Sequence, residues 1–162
     1  MTISVGDTLP DANLIFRSDD GPASVSLHDK LKGRKVVIFA LPGAFTPTCS
    51  SAHMPSFVRT ADQFREKGID EIICITVADV HVLAEWGKAT GADDAGITLL
   101  ADGDSSYTKS IGMSFDAPAV GFYGRPVRHA MMVEDGLVKV LQVEENRGVC
   151  EMTAGETLLA RV

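Results

Sequence analysis

Three stretches, "KVVIFALP" (residues 35–42), "DEIICITVAD" (70–79) and "GITLLAD" (96–102), are apolar and rich in β-branched residues, with little polar alternation. They limit the fold more than any other feature of the chain, because a strand of this kind is buried on both faces and needs helices above and below it. Helical patterns lie between and after them, at 47–67, at 80–90, and beyond Asp104, a suitable N-cap before "SSYTKSIGM". Alternating strand and helix predicts βαβ units and a mostly parallel central sheet.

The flanks extend that sheet. In "ANLIFRSDDGPASVSLHDKLKGRK" two short strands, 14–17 and 23–26, with turn chemistry at Asp20-Gly21-Pro22, predict an N-terminal hairpin. "RHAMMVEDGLVKVLQVE" predicts a second antiparallel hairpin closed by the two-residue turn Asp135-Gly136, and "TAGETLLARV" a short helix that packs Leu158 and Leu159. There is no repeat or linker, and 162 residues can bury a core without disulfide or metal staples, so a single domain over residues 1–162 is expected. Parallel strands with crossover helices followed by a C-terminal hairpin resemble thioredoxin-like α/β folds: a central mixed sheet flanked by helices, here with an N-terminal hairpin.

Composition removes several function classes. No run approaches the roughly 18 to 20 apolar residues of a membrane span. A formal net charge of −7 repels phosphate backbones and anionic membranes, so neither nucleic acid nor membrane is an expected partner. "MTISVGDTLPD" carries neither a basic leader nor a long apolar segment, and the cytoplasm is the expected compartment. Three cysteines, Cys49, Cys74 and Cys150, are too few for a secreted disulfide framework. They serve packing or chemistry.

Cys49 has the context for chemistry. In "LPGAFTPTCSSAHMPSF" Thr46 is a good N-cap and Pro47 suits the first helical position, so Cys49 falls in the first turn and faces the positive end of the helix. A free thiol has a pKa of about 8.5, and helix N-termini with nearby cations can bring it to roughly 3.5–7.5. Pro55 removes one backbone hydrogen bond and predicts a kink near 51–55, while Phe57, Ala61 and Phe64 continue an apolar face that anchors the helix. His53, four residues after Cys49, is expected to pack or hydrogen-bond at the rim of the site. One Cys and one His do not make a zinc site, and no Cys-x-x-Cys completes one, so no metal is expected.

Pro42, Thr46 and Cys49 form P-x-x-x-T-x-x-C, and "PGAFTPTCS" resembles the active-site segment of the peroxiredoxins, specifically the fifth or type-II subgroup. The likeness continues through "EIICITV", "EWGKATG" with Trp86, and "RHAMMVEDGLVKVL". It implies a thiol peroxidase without a cofactor, in which Cys49 attacks hydrogen peroxide or an alkyl hydroperoxide and becomes a sulfenic acid. Thr46 would orient the peroxide by accepting from it and donating to it, and Pro42 would shield the site from bulk water. Arg128 of "VRHAMMV" would stabilise the leaving oxygen. Arg125, in the looser "GFYGRP" segment, is the competing guanidinium.

The resemblance further implies a homodimer and offers two resolving cysteines: Cys74, at a 25-residue separation used by some relatives, and Cys150, in a region where others carry one. Without an internal resolver, glutathione would attack the sulfenic acid and glutaredoxin or thioredoxin would reduce the product. "SFDAPAVGFYG" is richer in small and aromatic residues than the family pattern, which would alter the pocket mouth and the choice between hydrogen peroxide and bulkier hydroperoxides. His81 is expected near the Cys49 pocket or a dimer contact, whereas His28 and His129 have no partner nameable from sequence. A peroxide-sensing adaptor that oxidises Cys49 without efficient turnover is the alternative function. A thiol–disulfide oxidoreductase suits the fold but not the motif, because position 46 is Thr where a second Cys would stand.

Overall fold

The computed structural model describes residues 2–146 and 148–162. Among the described residues nine strands and five α-helices follow in chain order: β1 (Asn13–Ser18), β2 (Gly21–Ser26), α1 (Leu27–Leu31), β3 (Lys35–Ala40), α2 (Met54–Glu66), β4 (Glu71–Thr76), α3 (Val80–Thr90), β5 (Thr98–Ala101), α4 (Ser106–Ser110), β6 (Ser114–Ala117), β7 (Phe122–Pro126), β8 (His129–Glu134), β9 (Leu137–Val143) and α5 (Gly155–Leu159). Seven strands form one sheet in the order β2-β1-β5-β4-β3-β8-β9, and β6 and β7 form a separate pair.

The three apolar runs are its centre. β3, β4 and β5 lie parallel, in registers such as Phe39↔Cys74 and Cys74↔Leu99. Alternate residues of β3 enter opposite layers: Val37 and Phe39 pack with Phe57, Ala61 and Phe64 of α2, Leu83 and Trp86 of α3 and Leu158 of α5, whereas Val36 and Ile38 pack with Leu27 and Leu31 of α1 and Tyr107 of α4. Two-sided burial is why these strands show no polar alternation, and each such side chain removed from water stabilises the fold by about 1.5–3 kcal/mol. The ring of Phe57 stacks on Phe39 at 4.0 Å and lies 5.8 Å from Phe64, which locks α2 to the sheet.

The sheet as a whole is mixed rather than mostly parallel, because antiparallel strands flank the parallel trio on both sides. The N-terminal hairpin forms, with its turn shifted: Ser18 pairs with Gly21, so Asp19-Asp20 makes the turn. Pro22 joins β2, an edge strand where its missing N–H is tolerated. The Asp135-Gly136 turn forms as expected, with φ of 49° and 80°, between paired Glu134 and Leu137. α3 has the predicted bounds and is capped by the Asp79 carboxylate, which accepts from the N–H groups of His81 and Val82.

Three elements were not expected: α1, whose N-cap is Ser26, and the strands β6 and β7. Their spans are short, and side chains from elsewhere supply the burial that local pattern lacks. Asp104 lies one residue outside the α4 cap position, Ser105. It still accepts from Ser106 N–H, while buried Asp102 accepts from the N–H groups of Tyr107 and Thr108. α5 docks closely on α2, since Gly155 N–H donates to Ser56 Oγ at 2.8 Å and a Cβ on Gly155 would meet the Ser56 carbonyl.

Candidate active site

The chain is helical from 47 to 66, but Cys49–His53 is a π-turn in which Met54 N–H bonds the Cys49 carbonyl five residues back. The predicted kink is this bulge. Pro55 has no N–H, and in a regular α-turn its ring would meet the carbonyl of residue 51; one extra residue in the preceding turn relieves the clash. Trp86 Nε1 donates to Ser50 Oγ at 3.0 Å and holds the bulge against α3. Thr46 stands at the N-cap by its backbone, its carbonyl accepting from Ser50 N–H. Its hydroxyl does not cap the helix as expected, because it donates to the Gly43 carbonyl at 2.7 Å. With that proton engaged, the Thr46 oxygen is left to accept from a ligand O–H rather than to donate.

The loop leading to the helix is tied at its start by two side chains. Thr76 Oγ1 donates to the Leu41 carbonyl at 2.8 Å, and Arg125 Nη1 to the Pro42 carbonyl at 2.8 Å. Arg125 packs over Phe122 and so closely on Gly43 that a Cβ there would collide with it. Phe45, at φ 60°, turns the chain toward the helix.

Arg128 lies in the two-residue connection between β7 and β8 and is 3% exposed. Its Nη2 donates to Cys49 Sγ at 3.3 Å, and the sulfur is itself 1% exposed. Its Nη1 lies 3.0 Å from Nδ1 of His53. A guanidinium only donates, so Nδ1 must be the acceptor, and the His53 proton therefore sits on Nε2, 3.0 Å from the Thr153 carbonyl. Burial, and then the charge of Arg128, hold the His53 pKa well below the usual imidazole range, consistent with this neutral tautomer. His53 is fully buried, not at the rim where it was expected. Sequence spacing gave no sign of its partner, 75 residues away.

His129, at the start of β8, is neutral too. Burial pushes its pKa down to about 4; Nδ1–H donates to the Val127 carbonyl at 2.7 Å, and Nε2 has no partner among the described residues. Below pH ~6.5 the unfolded chain binds a proton that this folded histidine refuses. Stability should therefore fall as pH drops, and the cost from His129 is complete below about pH 4, at about 3 kcal/mol, with His53 adding in the same direction. Urea unfolding at pH 7 and pH 4.5 checks this: His129→Leu should lose less stability between the two than the wild type, and equal losses would refute the assignment.

Beside Arg128, which donates to the Cys49 sulfur, opens a cleft of about 610 Å³ lined by Pro42, Phe45, Thr46 and Arg128 and by Phe115, Ala117, Val120 and Phe122 of the β6–β7 unit. The segment "SFDAPAVGFYG" thus forms a wall of the cleft. Arg125 lines a separate hollow of about 230 Å³ with Ala44, Val77 and Asp79. His81 is exposed at the start of α3, and His28 Nε2 lies 3.0 Å from the Leu9 carbonyl.

All three cysteines are free thiols. Cys74 is fully buried on β4, in the same apolar layer as Cys49, and burial, followed by the Cys49 sulfur, pushes its pKa up. Cys150 is half-buried with Sγ 3.8 Å from Thr153 Oγ1, and burial raises its pKa as well. Its loop is anchored by Glu144, whose carboxylate accepts from the N–H groups of Glu151, Met152 and Thr153 and from the Thr153 hydroxyl. That anchor is invisible in sequence, where Glu144 is one of many acidic residues. Among the described residues no group of three or more His, Cys, Asp or Glu is placed to hold a metal ion.

A seven-stranded mixed sheet between helical layers, with one thiol at a helix start and, on its sulfur, a buried guanidinium that borders a cleft, defines a thioredoxin-like thiol enzyme. Comparison with known proteins agrees. Residues 4–158 match the Redoxin family. The chain is 42% identical to peroxiredoxin-2E-2, chloroplastic, of Oryza sativa subsp. japonica over 98% of its own length and 72% of that protein's, and 39% identical to peroxiredoxin-2D of Arabidopsis thaliana over 97% and 96%. The crystal structure of reduced Prx3 from Vibrio vulnificus in complex with hydrogen peroxide superposes with a TM-score of 0.91 at 42% identity, covering 99% of each chain. The chain belongs to the redoxin family and, within it, to the type-II peroxiredoxins, which are thiol peroxidases.

Proposed function

We propose that Cys49 is the peroxidatic nucleophile and that hydrogen peroxide and alkyl hydroperoxides are its substrates. The observation that carries this reading is the 3.3 Å contact from Nη2 of Arg128, a residue that lines the cleft, to Cys49 Sγ. The thiolate attacks one peroxide oxygen; the S–O bond forms as the O–O bond breaks, leaving Cys49 as a sulfenic acid and releasing water or an alcohol once the departing oxygen takes a proton. Arg128 donates to the sulfur and to the departing oxygen as charge develops there. Thr46 accepts from the peroxide O–H and fixes the line of attack, and Pro42 screens the site from bulk water. A similar structure that holds hydrogen peroxide supports the smaller substrate, and the apolar cleft wall supports alkyl hydroperoxides.

An external thiol, glutathione with glutaredoxin or else thioredoxin, resolves the sulfenic acid. Cys74 is held in a central strand paired on both edges, and the Cys150 loop is tied down by Glu144, so neither thiol moves freely toward Cys49. The chain works in the cytoplasm as a single domain and as a homodimer. Rapid thiol trapping after one equivalent of hydrogen peroxide, followed by peptide mass mapping, tests the cycle. Oxidised, unlinked Cys49 with Cys74 and Cys150 free is the expected result; a Cys49–Cys74 or Cys49–Cys150 bridge would show an internal resolver. Consumption that stops at one equivalent in the presence of reductant would instead favour the sensor.

A further inference from the structure

The geometry points to His53 as a positioning residue for the peroxide step: a neutral imidazole that orients the Arg128 guanidinium toward Cys49 without neutralising it. This rests on the reading of Cys49 and Arg128 given above.

The reason lies in what a guanidinium needs. A guanidinium that turns about its last bonds loses the sulfur, and with it the position from which a departing oxygen could be met. An acceptor on a different nitrogen from the one that meets the sulfur resists that turn, and His53 Nδ1, 3.0 Å from Nη1, is such an acceptor. A carboxylate in the same place would hold the group more strongly, but it would pair with the positive charge and put a negative one near a sulfur that must itself be anionic to attack. A neutral ring keeps the geometry and leaves the full cationic charge to the reaction.

The ring is neutral and correctly oriented because its own proton is engaged. Nε2–H donates to the Thr153 carbonyl at 3.0 Å; Thr153 is held by the Glu144 carboxylate through its N–H at 3.1 Å and its hydroxyl at 2.8 Å; and Glu144 N–H donates to the Arg128 carbonyl at 3.0 Å. The hydrogen bonds close a circuit: Arg128 side chain, His53, Thr153, Glu144, Arg128 backbone. Phe39 and Phe57 flank the imidazole with ring centroids at 5.2 and 5.6 Å and limit its rotation. Each link is specific in direction, since a guanidinium only donates and a carbonyl only accepts.

The test is the single-turnover rate of the reduced protein with hydrogen peroxide, followed by the fluorescence of Trp86, which bonds Ser50 next to Cys49. His53→Leu keeps volume but offers no acceptor, and its rate should fall about tenfold or more. His53→Gln can accept from Arg128 through its carbonyl and donate to Thr153 through its amide, and should stay within about threefold of wild type. In an Arg128→Ala background, His53→Leu should cause no further loss, because its effect passes through that guanidinium. A folded His53→Leu protein at the wild-type rate, a tenfold loss in His53→Gln, or a double variant slower than Arg128→Ala by the full His53→Leu factor would each overturn the proposal. If His53→Leu does not fold, the same cycle with Glu144→Gln decides: a loss that disappears in the Arg128→Ala background supports the circuit, and no loss or an undiminished one overturns it. A wild-type protein that does not react, or reaction surviving in Cys49→Ser, would refute the underlying function instead.

Discussion

Cys49→Ser is expected to lower peroxide turnover at least about a thousandfold while leaving the fold intact. The serine hydroxyl is too basic to ionise at neutral pH and is a poor nucleophile toward oxygen, so the step that forms the S–O bond has no substitute. Little else changes. The hydroxyl fits the same 1% exposed position and can still accept from Arg128 Nη2, so His53 and the rest of the circuit keep their partners. Steady-state peroxide consumption with a thiol reductant, alongside thermal unfolding of the reduced protein, reads both effects. Cys74→Ser and Cys150→Ser provide the comparison, because under the external-thiol reading both should turn over. A Cys49→Ser protein with near-normal consumption would remove Cys49 from the chemistry.

Arg128→Ala should slow the peroxide step about 10²–10³-fold, the range seen when one donor to a developing anion is removed from a preorganised site. Both the Cys49 sulfur and His53 Nδ1 lose a donor at 3.0–3.3 Å, and the unsatisfied buried ring nitrogen alone costs about 1–3 kcal/mol of stability. Arg128→Lys should recover only part of the rate, since a single ammonium cannot reach the sulfur and the imidazole in the fixed fork that a guanidinium provides. Arg125→Ala supplies the contrast: it frees the Pro42 carbonyl and loosens the loop, and should reduce the rate severalfold at most. Stopped-flow rates for the three variants rank them. Full activity in Arg128→Ala with a large loss in Arg125→Ala would make Arg125 the functional guanidinium.

Much of this site can be read locally, and the part that cannot follows a physical rule. The uninterrupted apolar runs of β3, β4 and β5 follow directly from two-sided burial, and the Asp135-Gly136 turn from the positive φ that those residues tolerate. Thr46, Pro47 and Cys49 place a thiol in a first helical turn because the backbone preferences that start a helix act over three or four neighbours, even though the Thr46 hydroxyl itself turns to Gly43. Pro55 announced a break in the helix, but the contact that holds the resulting π-turn, Trp86 to Ser50, spans 36 positions and has no local signal.

The choice between Arg125 and Arg128 was of the same kind. Both stand close to β8 in sequence, and only the course of β7 past the Pro42 loop sends one to a backbone carbonyl and the other to the sulfur. His53 looked like a rim residue because its two partners lie 75 and 100 positions away. That "SFDAPAVGFYG" borders the pocket mouth was expected, but its strands β6 and β7 were not, because runs of 4 and 5 residues carry too little alternation to be read as strands. By itself the sequence determined the βαβ frame, the hairpin turn and the thiol at a helix start, all of which depend on backbone preferences and burial within a few residues. Only the tertiary structure decided which guanidinium meets that thiol, which imidazole steadies it and which loop closes the circuit, because these are directional contacts between groups that chain proximity does not bring together.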